Sequence, residues 1–399
     1  MNNVGGIMMS QFTEVIPRRG TRSVKWDMAE ELYQDKDVLP MWVADMDFKT
    51  PQAVTEALQE RVSHGIFGYT VADHLFRDYI VSWLERRHDW KVDGDWISYS
   101  PGVIPSLHMI IQALTEKADA ILIQTPVYPP FYSVVNEHER TLVKNQLKLE
   151  NDQYRIDFED FEQKIIEHEV KVFILCNPHN PVGRVWTKEE LMKMGDICVK
   201  HNVKIIADEI HADLVFKPNK HIPIASLSEE MKKMTITCLS PTKTFNLAGL
   251  QVSYLVTPDK SLREPVMNQF KQQGIHMLNT LGITALEAAY KDGDDWLEEL
   301  LDTLEAHRDY VTERFEKETK SIRILPAEGT YLLWMDCRKL GFTQAELKKF
   351  MQKNAKVGLN DGASFGEEGN GFMRLNIAAP KDLIVEGTNR IINAVKEIE

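Results

Sequence analysis

A lysine that follows an apolar run is the first residue in this chain with chemistry to suggest. Lys243 lies within Ser240-Pro-Thr-Lys-Thr-Phe-Asn-Leu-Ala-Gly-Leu250, directly after Ile236-Thr-Cys-Leu239. The end of a buried strand desolvates an ammonium, and desolvation lowers a lysine pKa. That is the state a Schiff-base amine needs: neutral part of the time and held near a carbonyl. One residue among 47 lysines and arginines carries little weight alone. The weight comes from what collects around it.

Other apolar runs end in polar residues of the right kinds. Segments 96–100, 120–124, 171–176, 203–207, 235–239 and 252–256 read as buried strands. Ligands of open α/β sheets gather at the carboxyl ends of strands. Ser100-Pro-Gly102 opens a helix, so Gly102 and Val103 offer backbone N–H groups and the positive dipole end to an anion. Thr125-Pro-Val-Tyr128 supplies a ring, and Cys176-Asn-Pro-His-Asn180 supplies an amide. Asp208-Glu-Ile-His211 supplies a carboxylate, and Ser240 adds a hydroxyl three residues before Lys243.

In kind and number these groups match the needs of pyridoxal 5′-phosphate. Lys243 would condense with the aldehyde, and Asp208 would keep the pyridine nitrogen protonated through a charge-assisted bond. Tyr128 would stack on the ring, Asn180 would hold its phenolic oxygen, and Gly102, Val103 and Ser240 would hold the phosphate. Each residue also has an ordinary reading. Tyr128 could pack between prolines, Asn180-Pro-Val-Gly183 could be a plain turn, and Asp208 could cap a helix. Their joint placement at successive strand ends favours the cofactor.

The elements that must position these residues follow from periodicity. Ile104, Leu107, Ile111 and Leu114 mark a helix after Gly102. Thr187-Lys-Glu-Glu190 is a capping box, with Leu191, Met194 and Cys198 on one face behind it. Strands alternating with helices predict an α/β domain with a mostly parallel sheet, covered on both faces. A long helix is expected over 296–317, then strands at 321–325 and 331–336, a Thr343-Gln-Ala-Glu346 capping box and an alternating strand at 372–377. We therefore expect a large α/β domain over 51–290 and a smaller α+β domain built from 1–50 and 291–399.

Composition sets the outer limits. The chain has 399 residues, 43% apolar and 27% charged, with a net charge of −13. That charge argues against nucleic acid or an anionic membrane as the main partner. Four cysteines stand singly, as buried reduced thiols would, and no metal cluster is suggested. No apolar stretch reads as a signal or transmembrane segment, which makes the cytoplasm the default. Met1, Met8 and Met9 each offer a start.

With these motifs in hand the chain resembles fold-type-I pyridoxal-phosphate enzymes of aminotransferase class I/II. More narrowly it is similar to the MalY/PatB-type cystathionine β-lyases, or C–S lyases. The likeness runs from Met41-Trp-Val-Ala-Asp-Met-Asp-Phe48 to Phe372-Met-Arg-Leu-Asn-Ile-Ala378. It includes Phe67-Gly-Tyr-Thr70, Thr125-Pro-Val-Tyr-Pro-Pro-Phe131, Asp208-Glu-Ile-His211 and Lys243-Thr-Phe-Asn-Leu-Ala-Gly-Leu250. The resemblance implies seven strands in the main sheet, and it implies that Arg374 clamps the substrate α-carboxylate. The local pattern agrees, since Met373, Leu375 and Ile377 alternate away from Arg374 and Asn376. It also implies that Tyr69 reaches the cofactor phosphate of a neighbouring subunit, making a homodimer. By the same resemblance Asn279 and Thr280 are expected near that phosphate and Ala44 near the substrate, and His211 stands where many relatives have a tyrosine that bonds the phenolic oxygen. Tyr132 and the Glu328-Gly-Thr-Tyr331 turn are expected to touch the substrate region. Aspartate-type aminotransferases carry arginine eight residues after the lysine; Gln251 stands there, as in the C–S lyase subgroup.

The implied reaction is β-elimination on L-cystathionine or related cysteine S-conjugates, giving a thiol, pyruvate and ammonia. The alternative is an aminotransferase, which shares the steps up to loss of the Cα proton. A third class, a regulator built on this fold, would carry a helix-turn-helix domain, and the 41 residues before Trp42 are too few for one.

Overall fold

A computed structural model describes residues 11–399. The first ten residues of the segment 1–50, with the three candidate start methionines, lie outside the described residues. Seven strands form the main sheet: β1 Ile97–Ser100, β2 Ala120–Thr125, β3 Thr141–Gln146, β4 Val172–Cys176, β5 Lys204–Asp208, β6 Thr235–Leu239 and β7 Ser253–Val256. Their spatial order is β1-β7-β6-β5-β4-β2-β3. β7 runs antiparallel to both its neighbours, and all the other pairs are parallel.

Parallel pairing explains why these strands read as unbroken apolar runs: both faces are covered. Every residue of β2, β4 and β6 is buried. Register then aligns the strand ends. Cys176 on β4 sits opposite Asp208 on β5, which sits opposite Cys238 on β6. The loops after Cys176, Asp208 and Leu239 therefore leave one edge of the sheet together. All four cysteines are buried and free.

The helices that matter here are α1 His74–His88, α2 Val103–Leu114, α3 Pro129–Glu137, α4 Lys188–Lys200, α5 Pro241–Thr244, α6 Thr280–Asp292 and α7 Asp294–Glu318. The Thr187/Glu190 capping box is fully formed at α4, with reciprocal side-chain to backbone bonds. At α2, Leu107 and Ile111 are buried as the periodicity predicts, whereas Ile104 stays open beside a cavity.

A second sheet holds β8 Arg323–Ile324, β9 Leu332–Asp336, β10 Asn360–Asp361 and β11 Phe372–Asn376, in the order β8-β9-β11-β10. The segment before residue 50 lies beside it, where Leu39–Pro40 and Val357–Gly358 form a separate two-stranded parallel pair. Met41 O accepts Asn376 N, and Ala378 O accepts Asp47 N. A strap without helix or strand, residues 42–48, is thereby laid across the end of β11 toward α5.

Candidate active site

Lys243 owes its position to the cap of a very short helix. Ser240 ends the β6 run, and its hydroxyl accepts Thr242 N at 3.1 Å while donating to Val252 O at 2.7 Å. Pro241 fills the first helical position, where a missing N–H costs nothing. Lys243 is thus turned into a cavity of about 190 Å³, lined also by Ala44, Tyr128, Asn180, Asp208 and His211. Its Nζ donates to Ala44 O at 2.6 Å, and the Tyr331 hydroxyl donates to the same carbonyl at 3.1 Å. Burial brings the Lys243 pKa down to about 8; Arg374 pushes the same way, and Asp45 and Asp208 oppose.

Asp208 faces the same cavity with only 4% of its surface exposed. Burial raises its pKa to about 7, only partly offset by the hydrogen bond from Ile210 N at 3.2 Å. Among the described residues no cation bonds this carboxylate directly. A buried acid in that state calls for a cationic partner. A protonated pyridine nitrogen is such a partner.

Arg374 projects from β11 and is likewise 4% exposed. Nη1 donates to Asn180 Oδ1 at 3.0 Å, while Nη2 donates to Asn360 Oδ1 at 2.5 Å and to Trp42 O at 3.1 Å. Nε is buried without an acceptor. Burial takes its pKa down to about 10, so it remains a cation near neutrality. Among the described residues no carboxylate pairs with it, and its partners are neutral oxygens that an incoming carboxylate can displace.

The anion end of the cavity is the start of α2. Val103 and Ile104 open the helix, where N–H groups have no intrahelical acceptor. Gly102 precedes the helix and lines the same cavity, and a Cβ there would crowd the Pro105 ring, 3.2 Å from its Cδ. Tyr128 is mostly buried at the start of α3, and burial pushes its phenol up to about 12, so it stays neutral. His211 is held neutral by burial, its pKa down to about 3, and its Nδ1 has no partner. The orphaned Nε and Nδ1, the cation-starved Asp208 and the bare helix terminus together fit pyridoxal 5′-phosphate and an amino-acid carboxylate.

Not every expected residue lines this cavity. Ser240 is spent on its own helix cap. Tyr69 is 98% exposed, while the adjacent Thr70 bonds Thr280 Oγ1 at 2.7 Å. Asn279 caps α6 and donates to Leu250 O at 2.7 Å. Gln251 is exposed, in a left-handed conformation with φ 48°. Tyr132 donates to Phe365 O at 2.6 Å, and Glu328 accepts Arg184 Nε at 2.9 Å; both are structural contacts. Tyr331 reaches the site through Ala44, as described above.

Sequence reading missed the carbonyls of Trp42 and Ala44 as acceptors, together with Asn246, Asn360 and Asn376. Backbone carbonyls carry no residue signal. The asparagines are distant in sequence from what they hold: Asn246 Nδ2 donates to Met46 O and Phe48 O, both at 2.9 Å, and its Oδ1 accepts Met46 N at 3.0 Å.

A half-buried lysine and a buried carboxylate facing one cavity, beside an arginine with spare donors and a helix N-terminus on a mostly parallel sheet, define a site for amino-acid chemistry on an aldehyde cofactor. The chain belongs to the aminotransferase class I and II family, whose model matches residues 36–390. It is 44% identical over 374 residues to cystathionine beta-lyase PatB of Bacillus subtilis, covering 94% of this chain and 97% of that protein. It is 32% identical over 393 residues to protein MalY of Escherichia coli, covering 98% and 100%. The solved structure of cystalysin from Treponema denticola, which contains a pyridoxal 5′-phosphate cofactor, superposes with a TM-score of 0.95. It is 33% identical and covers 98% of this chain and 100% of that one. Among the described residues no helix is long and apolar enough to cross a membrane.

Proposed function

We propose that the protein is a pyridoxal 5′-phosphate-dependent carbon–sulfur lyase. It converts L-cystathionine or a related cysteine S-conjugate, with water, into a thiol, pyruvate and ammonia. The observation that carries this is the cavity shared by Lys243 and Asp208, with Arg374 bonded to Asn180 of its lining, in a chain 44% identical to a cystathionine β-lyase.

When bound, the cofactor supplies an electron sink for the charge left as the Cα–H bond breaks. This chain's residues do the rest. Arg374 releases Trp42 O or Asn360 and takes the α-carboxylate on its guanidinium fork. Asp208 holds a proton on the ring nitrogen, and Tyr128 covers the ring face. Lys243, with its pKa near 8, is neutral often enough to accept the Cα proton as general base. The same nitrogen then carries a proton that the departing thiolate can take. His211 stays uncharged and cannot compete for the carboxylate.

The same reading places the site where the large domain, 51–290, meets the smaller one from both termini. It also makes the active unit a homodimer. Tyr69 and its neighbours Ile66, Phe67 and Val71 are 98%, 66%, 58% and 73% exposed, an apolar group that suits a second copy and would carry Tyr69 to the neighbouring phosphate. Thiol release from a panel of cysteine thioethers tests the chemistry. A purified, cofactor-loaded protein that frees no thiol from any of them rules it out.

A further inference from the structure

One buried ion pair has no part in that chemistry. Lys25 and Asp47 have side chains only 1% and 3% exposed, with Nζ and Oδ2 2.7 Å apart. Burying two charges costs more than an apolar pair of the same size, so such a pair is a poor stabiliser. It is better explained by what it holds in place. Asp47 belongs to the strap 42–48, and its carboxylate also accepts Arg18 Nη1 at 2.7 Å and Trp26 Nε1 at 2.8 Å. Arg18 grips the neighbouring Asp45 with both terminal nitrogens, at 2.6 and 3.0 Å, and Lys25 O accepts Trp42 Nε1 at 3.1 Å. Residues 18–26 thus hold the strap at Trp42, Asp45 and Asp47.

The strap in turn meets both cations of the active site. Trp42 O accepts Arg374 Nη2, and Ala44 O accepts Lys243 Nζ. The intervening carbonyls of Val43 and Asp45 point the other way, onto Asn376 Nδ2 at 2.6 and 2.7 Å. The segment bends here, with Asp45 N donating to Val43 O at 2.9 Å, so both acceptors belong to one tight turn and shifting that turn moves them together.

We propose that Lys25 is a positioning residue: through Asp47, and with Arg18, it sets the depth at which the Trp42 and Ala44 carbonyls meet Arg374 and Lys243. The inference rests on the lyase reading for its substrate and on geometry alone for its residues. Lys25 touches neither substrate nor cofactor. It governs how readily Arg374 exchanges a carbonyl for a carboxylate and how the Lys243 nitrogen is charged. Asp45 favours a proton on that nitrogen, and Arg18 and Lys25 are the cations facing Asp45.

The test compares the holoenzyme with Lys25→Met and Arg18→Gln in three measurements: kinetics on L-cystathionine, the pH titration of the bound cofactor's visible absorbance, and thermal unfolding. We expect KM to rise about tenfold with kcat within about twofold. The titration midpoint should move upward by roughly half a unit or more, because Asp45 loses a counter-ion. A lower unfolding temperature with KM and midpoint unchanged overturns the proposal, leaving Lys25 a purely structural residue. Should Lys25→Met not fold, Arg18→Gln, at a more exposed position, decides alone. If the wild-type enzyme eliminates nothing, the lyase reading fails, yet the absorbance titration still decides the role of Lys25.

Discussion

Lys243 is kept in a state that the folded protein does not favour. An unfolded lysine titrates near 10.5, and this one near 8. Between those values the unfolded chain binds more protons, so stability rises with pH through that window. Below about pH 8 the fold holds a partly desolvated cation, at a cost on the order of 3 kcal/mol from the size of the shift. Replacing the ammonium should therefore stabilise. Cofactor-free Lys243→Met is expected to unfold at higher urea than cofactor-free wild type at pH 7, by about 1–2 kcal/mol. The gap should close as pH rises toward 10. Arg374 is the complementary case, because its fork geometry and not merely its charge is used. Arg374→Lys should raise KM for a cysteine thioether by ~100-fold with a smaller loss in kcat, measured by steady-state kinetics. At this scale the sequence was readable where a residue type alone implies the job. Lys243, Asp208, Tyr128 and Asn180 stand at strand ends and line one cavity. Ser240 follows the same rule in sequence, but its hydroxyl is spent on Thr242 N and Val252 O, a competition that residue type does not reveal.

Among the elements, the legible ones were those governed by local rules. Apolar runs became β2, β4 and β6, and the Thr187 and Thr343 boxes both formed. Thr187→Ala should cost about 1 kcal/mol in chemical denaturation and leave turnover unchanged, since that cap lies on α4 away from the cavity. The strap 42–48 was legible only as a motif. It has no helix or strand of its own, and partners as distant as Asn246, Asn376, Lys25 and Arg18 hold it. Such non-local polar contacts leave no period in the sequence. Asn246→Ala removes three hydrogen bonds to the strap and should weaken substrate binding, seen as a higher KM, more than it lowers stability.

At the scale of the whole molecule, the proposed homodimer would share its site between two copies through Tyr69, which is exposed in the single chain. Mixing separately inactive Lys243→Ala and Tyr69→Ala proteins tests that sharing. Tyr69 acting across the interface predicts restored activity, because each mixed dimer regains one intact site; Tyr69 acting within its own chain predicts none. The whole molecule also decides between elimination and amino transfer, which use the same cavity up to loss of the Cα proton. The most direct measurement is pyruvate formed per L-cystathionine consumed, with no keto-acid acceptor present. The account predicts one pyruvate and one homocysteine per substrate over many turnovers, abolished by Lys243→Ala. No pyruvate without an acceptor, but amino transfer once a keto acid is added, would contradict it.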